Sequence, residues 1–425
     1  MELVRKLFRG DMVVWMIFVF LSLISVVEIF SATSTLAYKT ANYWAPVMRH
    51  GMFSLGGFFL ILLLHNIPYK FFSALVMLLP VSVVLLGVTL VMGRDINSSS
   101  RWLEFMGVQF QPSEVAKLSL VVFIAFMLSR RHVFSEQWIF RWIIGAVGII
   151  CLLILPENFS TACLLFTVCF LLMFVGQIPL KYIGSLLGVL VLCGGLLFLG
   201  LRFIPKETLQ EYVPRFVTWQ GRVERFMEKE TPEVGSFRIT DANYQVSHAK
   251  IAIVRGGIFG RMPGNGQQRD FLPQAYSDFI YAIIIEELGL VGGLFVLLMY
   301  MILMVRVGMI ARRCERPFAK YLVIGCGLMI VVQALVNMSV AVDLIPVTGQ
   351  PLPLVSRGGT STLVTCVYIG IILSVSRFGA GIRNKDPQET LTEAPQKEKG
   401  EECPQMIGGE TTVSADTAGY SYSEA

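Results

Sequence analysis

Apolar residues run through this chain in stretches of about twenty, divided by short polar breaks. A hydrocarbon core ~30 Å thick asks a helix for about that length. Ten such stretches can be drawn, at 12–32, 51–67, 72–93, 112–129, 142–156, 159–176, 182–201, 278–304, 320–342 and 360–376. The pair 142–156 and 159–176 is one apolar run broken at "PENFS", where Pro156 and the polar Glu157 and Asn158 mark a tight turn. The pattern predicts an all-α polytopic membrane protein with ten transmembrane helices.

Composition sharpens this reading. The chain is 54% hydrophobic and 15% charged, with a mean hydropathy of +0.65, whereas soluble domains carry roughly 25% charged residues. The first apolar stretch follows "MELVRKLFRGD" and is long enough to span, so it is expected to be a retained helix rather than a cleaved leader. A net charge of +5 gives no reason to expect a nucleic-acid partner. The eight cysteines form neither a CxxC pair nor any metal-ligand spacing, and no disulfide framework is implied.

Short-loop Lys and Arg set the orientation. Arg5, Lys6 and Arg9 precede the first stretch, Arg130, Arg131 and Arg141 flank the loop at 130–141, and Arg306, Arg312, Arg313, Arg316 and Lys320 crowd the break after the eighth. With ten spans these fall on one side, which places both termini in the cytoplasm. Residues 202–277 then form a large extracytoplasmic loop between helices 7 and 8; it is rich in both charges, but long loops cross regardless of charge. Residues 379–425 are polar and aperiodic and read as a disordered cytoplasmic tail behind a 1–378 membrane domain.

Several polar residues stand against this apolar background. Asp278, Glu286 and Glu287 lie in or beside one span, where a charge at mid-membrane costs at least ~2.5 kcal/mol. A continuous helix starting near Asp278 would set Asp278 at the outer interface and turn Glu286 and Glu287 to different faces. Asp278 could be a helix cap or a functional carboxylate. The two glutamates read more readily as partners for neighbouring helices. In "QFQPSEVAK", Gln111, Pro112 and Glu114 fit an N-terminal capping pattern, and Glu114 can also pair with Lys117 three residues on. Lys117 is alternatively a cation for an anionic ligand. Gln333 and Asn337 share a helix face and suit interhelical hydrogen bonds. The segment 343–362, "DLIPVTGQPLPLVSRGGTST", is too rich in Pro and Gly for a lipid-facing span and must be buried in protein or line a cavity.

Four ordered motifs, "RWLEFMGVQFQPSEVAKL", "YQVSHAKIAIVRGGIFG", "FLPQAYSDFIYAIIIEELGLVGG" and "LIPVTGQPLPLVSRGGTS", make the chain resemble the SEDS proteins. This is the FtsW, RodA and SpoVE group of peptidoglycan polymerases. The likeness covers roughly residues 10–378, and the N-terminal stretch is more similar to the FtsW branch. It departs from the family pattern at Gln350, Arg357 and Asp343, in the longer "PENFSTA" turn, and in "QAYSD", which lacks a Glu and a His beside the aspartate.

The resemblance implies glycosyl transfer from lipid II at the outer face of the cytoplasmic membrane, in septal wall synthesis for cell division, with Asp278 as the essential carboxylate. It implies a class B penicillin-binding protein and other divisome membrane proteins as partners. Arg101, Lys117, Arg261 and Arg357 are candidate cations for the leaving pyrophosphate, with Glu114, Ser356, Gln333 and Asn337 as further substrate-site candidates. The resemblance implies no particular cofactor, and a divalent cation at the pyrophosphate stays open. The alternatives are a lipid II flippase, an elongation polymerase of the RodA kind, and a scaffold that recruits a division enzyme.

Overall fold

The structure is a computed structural model. It describes residues 8–32, 45–92, 103–105, 108–188, 192, 195, 214–227, 239–240, 243–272 and 275–379. The chain divides into two units, Met1–Gly381 and Ile382–Ala425, and every described residue belongs to the first. The tail expected at 379–425 lies almost wholly outside the described residues.

Helices follow the apolar pattern closely. They are α1 (Met12–Ala32), α2 (Ala45–Leu64), a 3-10 turn (Tyr69–Met77) running into α3 (Leu78–Met92), α4 (Pro112–Ser129), α5 (Glu136–Ile154) and α6 (Phe159–Val175). After them come α7 (Pro214–Met227), α8 (Tyr244–Gly256), α9 (Ile280–Arg313), α10 (Pro317–Ala341) and α11 (Thr360–Phe378). Among the described residues, eight helical stretches are long and apolar enough to cross a membrane, and α6 is a shorter apolar helix. The predicted seventh span, 182–201, falls mostly outside them. One expectation needs amending: the fold is helical but not purely so. Strands β1 (Leu103–Phe105) and β2 (Val108–Phe110) pair antiparallel, with Glu104 opposite Gln109.

Local chemistry sets the helix ends. Asp11 Oδ1 accepts the amides of Val13 and Val14 at 3.0 and 3.3 Å and so starts α1. The same carboxylate holds Arg306, near the other end of α9, with Oδ2 to Nη2 at 2.6 Å. Ser135 caps α5, and Asn158 caps α6 by accepting from Thr161 N at 3.1 Å. The "PENFS" break is therefore a turn that ends in a cap. Helices α4, α10 and α11 are the most enclosed spans, and α2 and α3 the least. Helix α10 packs against α4, α6, α9 and α11, which puts it at the centre of the bundle.

Helix α9 is not the continuous helix the sequence suggested. Gly289 has φ 74° and ψ −179°, so the helix breaks there. The freed backbone groups pair with residues 257–262. Arg261 N donates to Glu286 O at 3.0 Å and Met262 N to Glu287 O at 2.8 Å. Leu290 N donates to Gly257 O at 2.9 Å, and Val291 N to Ile258 O at 3.2 Å. A broken helix inside a membrane is tolerated when protein re-satisfies its backbone in this way. The two backbones almost touch: a Cβ on Gly260 would lie 2.3 Å from Glu287 O, and one on Gly289 2.3 Å from Ile258 O. Only glycine fits at both places.

Candidate active site

The irregular segment between α10 and α11 is held by side chains from all around it. Gln333 Nε2 donates to Pro351 O at 3.0 Å, and Asn337 Nδ2 to Gln350 O at 2.8 Å, both from α10. Ser25 on α1 donates to Val355 O at 2.7 Å, Tyr300 on α9 donates to Pro353 O, and Arg222 on α7 donates to Val347 O at 2.9 Å. Ser356 Oγ accepts from Leu352 N at 2.7 Å and donates to Ser277 O at 2.6 Å. Five carbonyls without a helical partner thus find donors on four different helices. This is the satisfaction that buried backbone demands.

That segment forms one wall beside Asp278. Asp278 is half-buried in the turn at 275–279, before the N-cap residue Phe279 of α9, so it is not the helix cap that one sequence reading allowed. Ser277 Oγ donates to Asp278 Oδ1 at 3.0 Å, and Asn337 Nδ2 donates to the Asp278 carbonyl at 2.9 Å. Within that segment, a Cβ placed on Gly349 (φ +69°) would sit 3.6 Å from Asp278 Oδ2. The missing side chain leaves the carboxylate room against bare backbone.

Lys117 and Glu114 form a buried ion pair at 2.8 Å, their side chains 1% and 8% exposed. Lys117 Nζ also donates to Gln333 Oε1 at 3.3 Å. Glu114, Lys117, Gln333 and Pro351 therefore make a chain from α4 through α10 into the loop. The ammonium lies beneath the loop and serves it, and the Glu114 carboxylate is engaged by Lys117. The capping contact proposed for Glu114 is not the one its side chain makes.

Arg357 meets the same turn at Tyr276. Its amide donates to Tyr276 O at 3.0 Å, and its guanidinium carbon lies 5.2 Å from the centre of the Tyr276 ring. Burial pushes its pKa below the ordinary arginine value; Tyr276 acts the other way, and the like charge of Arg49 adds to the lowering. A cation so placed, short of water and near another cation, gains strongly from an anion.

Sequence reasoning overlooked several supports. Gln350, noticed as a departure from the family pattern, donates to Thr161 Oγ1 at 2.8 Å and ties the loop to α6. Ser25 meets buried His50 Nε2 at 2.9 Å. The polar positions in α1 and α2 carried a signal, but nothing local in the sequence pairs them with residues more than 300 positions away.

Two candidates stand apart. Arg261 is exposed beside the Gly289 break, where its Nε donates to Arg255 O at 3.3 Å. Arg101 lies outside the described residues. Glu286 and Glu287 serve the same neighbouring segment instead of opposite faces. Glu286 accepts from Gln267 N at 3.0 Å, and Glu287 from Gly264 N at 3.2 Å. Among the described residues, no group of three or more His, Cys, Asp or Glu could hold a metal ion, and the six cysteines are free.

A bundle of apolar helices around a braced polar loop and a half-buried carboxylate defines a multi-pass membrane protein with an enclosed polar site. The model of the FtsW/RodA/SpoVE cell cycle proteins matches residues 11–380, and the chain belongs to that family. A curated "Probable peptidoglycan glycosyltransferase FtsW" from Halomonas elongata is 32% identical over 384 residues, covering 85% of this chain and 89% of the relative. Its namesake from Marinobacter nauticus is 34% identical over 361 residues, covering 82% and 85%. Solved structures share the fold. A chain of a peptidoglycan synthase complex has a TM-score of 0.67 at 23% identity, covering 87% of this chain and 98% of that one. The rod shape determining protein RodA of Thermus thermophilus has a TM-score of 0.61 at 24% identity, covering 88% and 99%.

Proposed function

We propose that this protein is a peptidoglycan glycosyltransferase that polymerises lipid II at the outer face of the cytoplasmic membrane, in septal wall synthesis. Family membership and the names of the curated relatives support the activity. The observation that carries the site assignment is the half-buried Asp278 carboxylate facing Gly349 of the braced loop. In this reading the ten-span topology holds, both termini are cytoplasmic, and 202–277 returns to Asp278 from outside. Residues 1–378 are the catalytic domain and 379–425 a cytoplasmic tail.

Asp278 acts as the general base. A sugar hydroxyl attacks the anomeric carbon of the lipid-linked donor and forms the glycosidic bond. The bond from that carbon to the diphosphate oxygen breaks, the hydroxyl proton passes to Asp278, and the lipid diphosphate leaves with the electron pair. Arg357 stabilises the charge growing on the diphosphate, with Arg101 and Arg261 as further cations along its path. Glu114, Lys117, Gln333, Asn337 and Ser356 keep the loop in register with the carboxylate. A divalent cation could share the diphosphate, and a class B penicillin-binding protein is the partner that crosslinks the product.

The break at Gly289 also favours a second reading. Discontinuous helices are a feature of transporters, and a lipid II flippase would use one. Purified protein given lipid II, with and without a penicillin-binding partner, separates the two readings. Glycan chains that vanish with Asp278→Asn support the polymerase. Lipid II translocation across vesicles without polymerisation supports the flippase.

A further inference from the structure

Glu28 on α1 is completely buried, and neither of its carboxylate oxygens has a hydrogen-bond partner among the described residues. Leaving a charge in that condition is among the costliest arrangements a protein interior can hold. Its surroundings sharpen the problem. Ser31, one turn further along the same face of α1, donates to Glu287 on α9, and the charge that acts on Glu28 is that of Glu287. Glu287 is itself completely buried, and a Cβ on Gly266 would touch it and Glu286 at 2.8 and 3.2 Å. Three carboxylates therefore gather where α1, α9 and residues 264–270 meet.

The compensating groups are already engaged. Arg269 Nη1 lies 3.6 Å from Glu287 and donates to Ser31 Oγ at 2.6 Å, while its Nη2 donates to Gly264 O at 2.8 Å. Asp270 draws on the same guanidinium from 3.7 Å. Glu286 takes backbone amides of Gln267 and Gln268. From α2, His50 bonds Ser25, one turn of α1 away from Glu28, and feels the charge of Arg357 beyond it. None of these groups reaches Glu28.

We propose that Glu28 is a buried proton-binding site, occupied in the folded protein, next to a clasp made by Ser31, Glu287, Arg269 and Gly264. The clasp fastens the 257–270 segment to α1 and α9. With its proton, Glu28 is a neutral neighbour of Glu287. Without it, a second carboxylate charge repels that of Glu287 and loosens the clasp. The ligand is the proton, and the site is independent of the reaction proposed above.

The test compares wild type with Glu28→Gln in lipid nanodiscs. A carboxyl protonated only when folded adds stability that fades as pH rises, because the unfolded chain has already released that proton. Wild-type Tm should therefore fall from neutral to alkaline buffer, while Glu28→Gln matches or exceeds wild type at neutral pH and loses less on alkalinisation. The infrared carbonyl band of a protonated carboxylic acid should be present in wild type and reduced in the variant. Four results would each overturn the proposal. They are an unchanged infrared band, a Glu28→Gln protein that fails to fold, one that melts well below wild type at every pH, and a wild-type Tm raised by sodium or magnesium chloride over choline chloride with that rise lost in Glu28→Gln. The last assigns the site to a metal cation.

Discussion

The side-chain nitrogen of Asn337 donates to two carbonyls at once, that of Asp278 at 2.9 Å and that of Gln350 at 2.8 Å. One amide thereby joins the turn that carries the acid to the loop that faces it. Replacing Asn337 with Leu leaves both carbonyls short of a donor, at about 1–3 kcal/mol for each buried group. We expect Asn337→Leu to lower Tm and also to cut polymerisation per folded molecule by at least tenfold. Intact activity in the folded fraction would reduce Asn337 to a structural tie.

Asp278→Asn should abolish glycan polymerisation while Tm and membrane insertion stay near wild type. The acid precedes the N-cap residue of α9, so the amide disturbs no helix cap. A gel of products from labelled lipid II reads the outcome. A variant retaining a tenth of the wild-type rate would remove the base from Asp278.

Lys117 and Glu114 are buried together, so removing either charge strands the other. Breaking such a pair costs roughly 3–5 kcal/mol. Lys117→Met and Glu114→Gln should each lower Tm sharply, and the double variant should recover a large part of the loss. Thermal melts of the four proteins complete the cycle. Additive losses would mean that the two charges do not depend on each other.

Gly260→Ala places a Cβ 2.3 Å from Glu287 O and 2.4 Å from Gly289 N, at a residue whose φ is +78°. Backbone cannot yield there as a flexible side chain would, and we expect little folded protein by size-exclusion of detergent extracts. Gly148→Ala is the control. Its Cβ meets nothing within 4 Å inside α5, and helix propensity favours alanine by about 1 kcal/mol. That variant should fold as well as wild type or better.

The spans were legible because lipid makes each helix announce itself as an apolar stretch of fixed length. Helices α1 and α4 begin and end where the pattern placed them. Pro346, Pro351 and Pro353 likewise marked the loop as irregular and enclosed. What stayed hidden depends on contacts distant in sequence. Gly289 in "EELGLVGG" looks like one more small residue of an apolar helix until Gly257 and Ile258 are seen to take the amides of Leu290 and Val291. The burial of Lys117 was equally invisible, since its i,i+3 spacing to Glu114 suits a surface pair as well as an interior one. Glu28 stands out as one acid in a long apolar stretch, but nothing local in the sequence brings it to Glu287.

The break in α9 also dictates an order of assembly. A helix entering lipid alone would leave the amides of Leu290 and Val291 and the carbonyls of Glu286 and Glu287 without partners, at several kcal/mol for each group. A lone α9 must therefore enter the bilayer straight and bend only against residues 257–262. Those residues precede α9 in the chain, so during synthesis the template for the bend leaves the ribosome before the helix it will bend.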